Sequence, residues 1–364
     1  MVPNIPRISY IRSFKIGSRK KITVLSNFQK VSSVDNPRVN GSSLMRSAFE
    51  TKGLDAEIID VLLESCTAST RKQYSCALNK WLKFCSEHNL SPYTAHVNVI
   101  LRFLNRLYMD GASYSSLNTM RSALSLVLPS VDSFQVGAHP LVVRYLKAVG
   151  KLRPPVPRYK SVWDVSLLLN LFRSWPSNEN LSLKQLSHKT VALLAILSGQ
   201  RVQTLSLIEL EQVVVNGSVM NILIPHAVKT SKPGVTQPSI VLAKYSLDTN
   251  LCPVEAVTCY INLTREIRKG KSLFVSYEYP YKNVGSQTIS RWLKTVLKDA
   301  GIDTTIFTSH SYRHASTSKA FACGVGIDII FDSAGWMHES KVFGKYYNCK
   351  INSRCDYSDT LLKG

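Results

Sequence analysis

Residues 182–205, SLKQLSHKTVALLAILSGQRVQTL, decide the fold class of the second half of the chain. Ser182 is a residue type that caps helix N-termini, because its hydroxyl can accept a hydrogen bond from a backbone N–H of the first turn. The apolar residues after it continue to Gly199, a residue type that ends helices in the left-handed conformation. The stretch therefore predicts an apolar helix that ends just before Arg201.

Downstream of this helix the pattern changes to short strands and further helices. Val213–Val215 and Val219–Ile224 flank Asn216-Gly217, a strong signal for a type I′ hairpin, and Ser239–Leu242 predicts a third strand. Four helices are predicted after the strands: Val254–Ile267 begun by Pro253, one capped by Ser286, Ser309–Cys323 and Asp328–Ala334. The second half is therefore predicted to be a mixed α/β domain with a small antiparallel sheet.

The first half of the chain predicts a bundle of amphipathic helices. Its clearest apolar stripe has helical spacing and follows Thr70, a plausible N-cap; the stripe is Tyr74, Leu78, Trp81, Leu82 and Cys85. Two further helices are expected, one ending near Gly111 and one between Ser115 and Pro129. The basic residues on the first of these helices fall mostly off its stripe and are candidates for phosphate contact: Arg71, Lys72, Lys80 and Lys83.

Four segments follow from these patterns. Residues 1–53 form a flexible basic arm, residues 54–150 a helical bundle, residues 151–160 a linker rich in proline and arginine, and residues 161–364 the mixed α/β domain. The linker adds Arg153 and Arg158 to the candidate phosphate contacts, and Lys232 is a further candidate. The whole chain is expected to be mainly α-helical.

The composition favours a polyanionic partner. Lys and Arg number 45 against 24 Asp and Glu in 364 residues, which gives a formal net charge of +21. A field of this sign attracts nucleic acid. We find no apolar run long enough for a membrane span and no signal-peptide pattern, and the basic arm could act as a nuclear address. The eight cysteines form no CxxC pair, so neither disulfides nor a metal site is predicted.

Four short motifs in the second half carry residues suited to chemistry. SGQRVQTL (198–205) contains Arg201, VKTSKPG (228–234) contains Lys229 and Lys232, and HSYRH (310–314) contains His310 and Arg313. The fourth motif, AGWMHESKVFGKYYN (334–348), contains Trp336, His338, Tyr346 and Tyr347.

In this order the motifs resemble the catalytic domain of the tyrosine recombinases, the phage integrase family. HPLVVRYLK (139–147), KLRPPVPRY (151–159), VWDVS (162–166) and SHSYRHASTSKA (309–320) resemble most closely the recombinases of eukaryotic mobile elements of the DIRS and Crypton kind. The resemblance implies a helical, SAM-like core-binding domain and an α/β catalytic domain that close as a clamp on duplex DNA, assembly as a tetramer on paired sites, no cofactor, and nuclear localisation if the source is eukaryotic. It also implies six functional positions: Arg201, Lys229, His310, Arg313, Trp336 and Tyr347.

The chemistry of strand exchange calls for the same residue types. A tyrosine hydroxyl can store a phosphodiester as an ester, but its ordinary pKa of about 10 means that it must lose its proton in place. Two guanidinium groups, from Arg201 and Arg313, suit the negative charge of the transition state. His310 suits proton transfer, and Lys229 suits protonation of the departing 5′ oxygen.

Several alternatives remain open on the sequence alone. Tyr346 is an alternative nucleophile beside Tyr347, Thr204 stands where many family members carry an acidic residue, and Trp336 replaces a common histidine. The rival functions are a domesticated DNA-binding protein without activity, a type IB topoisomerase and a basic RNA scaffold.

Overall fold

The computed structural model describes residues 40–231, 234, 237–338 and 344. The chain divides into two compact units, Met1–Pro155 and Val156–Gly364, which we call the first and the second unit. The described part is mainly helical with one small antiparallel sheet, which confirms the predicted fold class.

The described part of the first unit consists of helices around one apolar core. They are α1 (Gly41–Glu50), α2 (Ala56–Glu64), α3 (Ala68–Glu87), α4 (Val97–Met109), α5 (Tyr114–Val127) and α6 (Pro140–Leu152). The predicted stripe of α3 faces this core, since Leu78, Trp81 and Cys85 are buried. The N-cap of α3 is Thr67 and not Thr70, because the Thr67 hydroxyl accepts the Thr70 N–H at 3.2 Å.

The flexible arm predicted over residues 1–53 is wrong from Gly41 onward. Helix α1 begins here: Asn40 is its N-cap, and Ser43 completes a capping box with it. Leu44, Met45 and Ala48 of this helix are buried in the core. Gly41 lies so close to α3 that a Cβ atom there would fall 2.1 Å from the Ser75 carbonyl oxygen.

The linker predicted over residues 151–160 is shorter than expected at both ends. Helix α6 continues to Leu152, and Tyr159 is 1% exposed because it packs in the core of the second unit.

The second unit surrounds one nearly all-buried helix, α8. Its helices are α7 (Val165–Ser174), α8 (Leu183–Ser198), α9 (Val202–Ser206), α10 (Pro253–Thr264), α11 (Ser286–Asp299), α12 (Ser311–Ala322) and α13 (Ile327–Ala334). As predicted, Ser182 caps α8, here in a capping box with Gln185, and Gly199 ends the helix with a φ of +61°. Helices α10, α11 and α12 all pack against α8. Arg201 follows two residues after Gly199, the residue that ends this helix.

A three-stranded antiparallel sheet lies beside these helices. Its strands are β1 (Val213–Asn216), β2 (Val219–Leu223) and β3 (Ser239–Ala243), in the order β1-β2-β3. Asn216 pairs with Val219, so the hairpin loop is Gly217-Ser218, one residue later than predicted. Of the helices that the structure describes, none combines the length and apolar character needed to cross a bilayer.

Candidate active site

Arg313 is a buried cation held by backbone carbonyls. It lies in the first turn of α12, is 1% exposed, and its Nη1 donates to the carbonyl oxygens of Gly199 at 2.6 Å and Ala334 at 2.5 Å. These two residues end helices α8 and α13, where the helix dipole leaves partial negative charge. The guanidinium thereby joins the C-terminal ends of both helices.

Trp336 covers this guanidinium. Helix α13 ends at Ala334, Gly335 takes a left-handed φ of +62°, and the chain reverses so that the Trp336 ring lies 3.9 Å from the Arg313 guanidinium carbon. The ring is 8% exposed, and the contact is a cation–π interaction with a mostly desolvated cation. From the sequence, Trp336 is a functional position at which tryptophan replaces a common histidine; the structure adds this packing role.

Arg201 and His310 line one open basin on the second unit. The basin has a volume of about 850 Å³ and is also lined by Arg158 and, on α11, by Gln287 and Arg291. Arg201 is the N-cap residue of α9, and His310 is that of α12. Thr204, at the position where many family members are acidic, is buried on α9.

Lys229 lies in the loop that connects β2 and β3. Its turn is closed by the Ser231 N–H, which donates to the Val228 carbonyl at 2.9 Å, while the Val228 N–H donates to the Ser231 hydroxyl at 2.8 Å. The Lys229 side chain is exposed. Its neighbour Lys232 lies outside the described residues.

Several of these cations lie close enough to His310 to lower the pKa of its imidazole. Burial, together with the positive charges of four side chains, lowers the pKa of His310 to about 4; the side chains are Arg313, Arg158, Arg201 and Lys229. At neutral pH the imidazole is therefore uncharged and can take up a proton. An incoming phosphate would offset these positive charges and raise the pKa.

Two aromatic residues support the start of α12. The Tyr159 hydroxyl pairs with the Thr308 hydroxyl at 2.7 Å, and the Trp163 indole N–H donates to the Ser311 hydroxyl at 2.9 Å. Both residues lie in motifs that carry the family resemblance, but no role was predicted for them. Their spacing from α12 in the chain, 149 and 148 residues, left no local signal for these contacts.

Gln200 connects Arg201 with the reversal at Gly335. Its side-chain amide donates to the Ser333 carbonyl at 2.8 Å, and a Cβ atom on Gly335 would lie only 3.2 Å from the same nitrogen. No role was predicted for Gln200 from the sequence either.

The candidate DNA contacts of the first unit have different surroundings. Arg71 donates to the Leu63 carbonyl at 2.8 Å and pairs with Glu64, and Arg153 donates to the Ala112 carbonyl at 2.8 Å. These two arginines therefore brace helix ends, and their DNA contacts stay predictions. Three lysines on α3 are exposed: Lys72, Lys80 and Lys83.

The two tyrosine candidates, Tyr346 and Tyr347, lie outside the described residues. Among the residues that the structure does describe, no group of three or more His, Cys, Asp or Glu side chains is placed to hold a metal ion.

Comparison with known proteins identifies the family. Residues 174–352 match the model of the phage integrase family, a range that includes all six of the functional positions named above. A search of curated proteins finds no sequence match.

The fold is similar to that of the XerH site-specific recombinase bound to palindromic difH substrate in a post-cleavage complex, with a TM-score of 0.58 and 12% identity. The similarity covers 91% of this chain and 99% of that one. The pre-cleavage complex of XerH with difH gives a TM-score of 0.55 at 12% identity, covering 88% of this chain and 94% of that one. Residues 174–352 therefore form a domain of the phage integrase family, as the sequence motifs predicted.

Proposed function

We propose that the protein is a site-specific DNA recombinase that breaks and rejoins duplex DNA through a 3′-phosphotyrosine at Tyr347. The observation that carries the proposal is the basin that Arg201, His310 and Arg158 line. The positive charges of Arg313 and Lys229 also lie close enough to lower the pKa of His310. The similarity to XerH in complex with its DNA substrate supports duplex DNA as the ligand. The proposed action as a tetramer on paired sites rests on the family resemblance.

The proposed reaction is a transesterification that balances without cofactor or metal. The Tyr347 oxygen forms a bond to phosphorus, the bond from phosphorus to the 5′ oxygen breaks, and the DNA 3′ end remains attached to the tyrosine. The tyrosine proton passes to the uncharged His310, and Lys229 supplies a proton to the leaving 5′ oxygen. The reverse attack by a 5′ hydroxyl rejoins the strand and restores the tyrosine.

The arginines act on the transition state. Negative charge grows on the non-bridging oxygens as phosphorus takes on a fifth oxygen, and donors already fixed in place stabilise that charge without reorganising. Arg313 is suited to this role because helix ends and Trp336 fix its guanidinium. Arg201, which lines the basin, supplies the second charge.

A suicide substrate with a nick beside the cleavage position tests the proposal. The protein is incubated with pools of such duplexes, the covalent adduct is isolated under denaturing conditions, and tandem mass spectrometry locates the phosphate. We expect it on Tyr347, with no adduct from Tyr347→Phe and retained adduct from the matched control Tyr346→Phe. Phosphate on Tyr346 would reverse the choice of nucleophile.

The same experiment separates the rival functions. DNA binding without any adduct would favour a DNA-binding protein that has lost its activity. An adduct accompanied by supercoil relaxation, without exchange between two sites, would favour a type IB topoisomerase.

A further inference from the structure

His338 lies between two carboxylates of α13. Its Nδ1 is 3.1 Å from Asp328 Oδ1, and its Nε2 is 2.9 Å from Asp332 Oδ1. The two aspartates are four residues apart on the helix and therefore share one face. Carboxylates only accept hydrogen bonds, and a neutral imidazole carries a single N–H, so both contacts are hydrogen bonds only when His338 is an imidazolium.

This contact fixes the chain just after Trp336. Before Trp336, the Gly335 N–H donates to the Asp332 carbonyl at 3.2 Å and the Trp336 N–H donates to the Phe331 carbonyl at 2.9 Å. After the reversal the chain returns along α13, where the two aspartates hold His338. Trp336 is thus fixed on both sides while its ring covers the Arg313 guanidinium.

We propose that His338, held as an imidazolium between Asp328 and Asp332, is a positioning residue that acts on Arg313 through Trp336. The proposal rests on the function proposed above for Arg313. His338 itself is exposed and is not among the residues that line the basin.

The arrangement makes the position of Trp336 sensitive to pH. Hydrogen bonds to Asp328 and Asp332 raise the pKa of His338 above its ordinary value, and among the described residues these two, both on α13, are the charged groups that act on it. Because the pKa is raised in the folded state, the protonated clamp is complete at low pH and is lost as the pH rises through that pKa. One histidine and two aspartates could also suggest a metal site, but no such group among the described residues is placed to hold a metal ion.

Indole NMR of the full chain tests the proposal without depending on catalysis. The protein is labelled with [15N]Trp, and the Trp336 resonance is assigned by its loss in Trp336→Phe. We expect this resonance to shift with pH, with a midpoint above that of an ordinary histidine at about 6.5. The shift should disappear in His338→Gln, while His338→Arg, which stays charged, should hold the low-pH position throughout. His96→Gln, an exposed histidine of the first unit, is the control and should leave the titration unchanged.

Single-turnover cleavage of the suicide substrate tests the consequence for the reaction. His338→Gln should slow cleavage by about 10- to 100-fold near pH 6, as expected for misplacement of a catalytic group. His338→Arg should cleave like the parent there and resist the loss of rate at alkaline pH. A Trp336 resonance that does not titrate, or that titrates equally in His338→Gln, overturns the proposal. If the parent forms no adduct, the proposed function fails, whereas the indole titration still decides whether His338 positions Trp336.

Discussion

At the scale of single residues, the cations of the site differ in how the fold holds them. Arg313 is 1% exposed and bonded to two helix-end carbonyls, whereas Arg201 is half-buried at the rim of a basin. Removing a buried cation lowers the free energy of unfolding, because its hydrogen-bond partners stay buried without a donor. Removing a half-buried side chain that lines an open basin leaves the groups around it accessible to water. The two arginines should therefore respond differently to substitution.

Arg201→Ala and Arg313→Ala form the first prediction. Both should lower the rate of adduct formation, Arg201→Ala by about 10²–10³-fold, because each removes a donor aimed at the transition state. Arg313→Ala should in addition lower the free energy of unfolding by about 1–3 kcal/mol, since two buried carbonyls lose their donor. Cleavage assays and urea unfolding measure the two effects. Near-parental cleavage by either variant would remove that arginine from the site.

Lys189 allows a second prediction. It is fully buried on α8, its Nζ has no hydrogen-bond partner among the described residues, and burial lowers its pKa to about 8. Lys189→Met should therefore raise the free energy of unfolding near neutral pH by about 1–3 kcal/mol, because it removes an unsatisfied buried donor. The gain should shrink as the pH rises above about 8, since the native lysine is then uncharged. Urea unfolding at two pH values measures this, and a destabilised variant would contradict it.

At the scale of elements, the ends of α8 and α13 build the site more than the sheet does. Gly199 and Gly335 both take left-handed conformations, and the carbonyls of Gly199 and Ala334 hold Arg313. The turn at Gly217 has nearly the same φ, +60° against +61° at Gly199, but lies in the hairpin loop. Gly199 and Gly217 thus form a matched pair of left-handed glycines, of which Gly199 contacts Arg313.

Gly199→Ala and Gly217→Ala give the third prediction. Each should lower the free energy of unfolding by about 1–2 kcal/mol, because an alanine in this conformation places its Cβ near a carbonyl oxygen. Only Gly199→Ala should also slow cleavage, since it shifts a carbonyl that positions Arg313. Thermal unfolding and single-turnover cleavage measure the pair. An equal loss of cleavage in Gly217→Ala would mean that general destabilisation, and not the contact with Arg313, is responsible.

At the scale of the whole molecule, the most prominent feature is the excess of positive charge. The chain carries a net charge of +21, and burial together with nearby cations lowers the pKa of His310 at the basin to about 4. A chain with this excess of positive charge favours binding to a polyanion such as DNA. Binding then releases the counterions that were condensed on the DNA phosphates.

Salt dependence is the fourth prediction. The logarithm of the association constant for duplex DNA should fall linearly and steeply with the logarithm of the salt concentration, because several phosphates are neutralised at once. Fluorescence anisotropy with a labelled duplex measures the slope, and single-stranded RNA of equal length is the comparison. A flat dependence would contradict phosphate binding, and equal affinity for the RNA would favour an RNA scaffold.

Chelation is the fifth prediction. Adduct formation should persist in EDTA, since Arg201, Arg313 and Lys229 supply the positive charge that a metal ion provides in metal-dependent nucleases. Loss of cleavage in EDTA with recovery on adding a divalent ion would favour a metal-dependent mechanism.

The sequence alone predicted the features that depend on neighbouring residues. The stripe of α3, the cap of α8 at Ser182 and its end at Gly199 were all predicted correctly, because periodicity and capping act within a few residues. The motifs around Arg201 and His310 also indicated the family, which the match over residues 174–352 confirms. Local signals did not predict α1, since Asn and Ser residues occur both in loops and in capping boxes.

Only the tertiary structure decided what each charged side chain does. Arg71 and Arg153 look like Arg158 in the sequence, yet the fold turns the first two toward helix-end carbonyls and leaves the third at the basin. Tyr159 became a core residue, and Trp336 a cover for Arg313, through contacts with residues far away in the chain. The physical reason is that burial and electrostatic environment depend on which distant segments pack together, whereas periodicity and capping depend on neighbours along the chain.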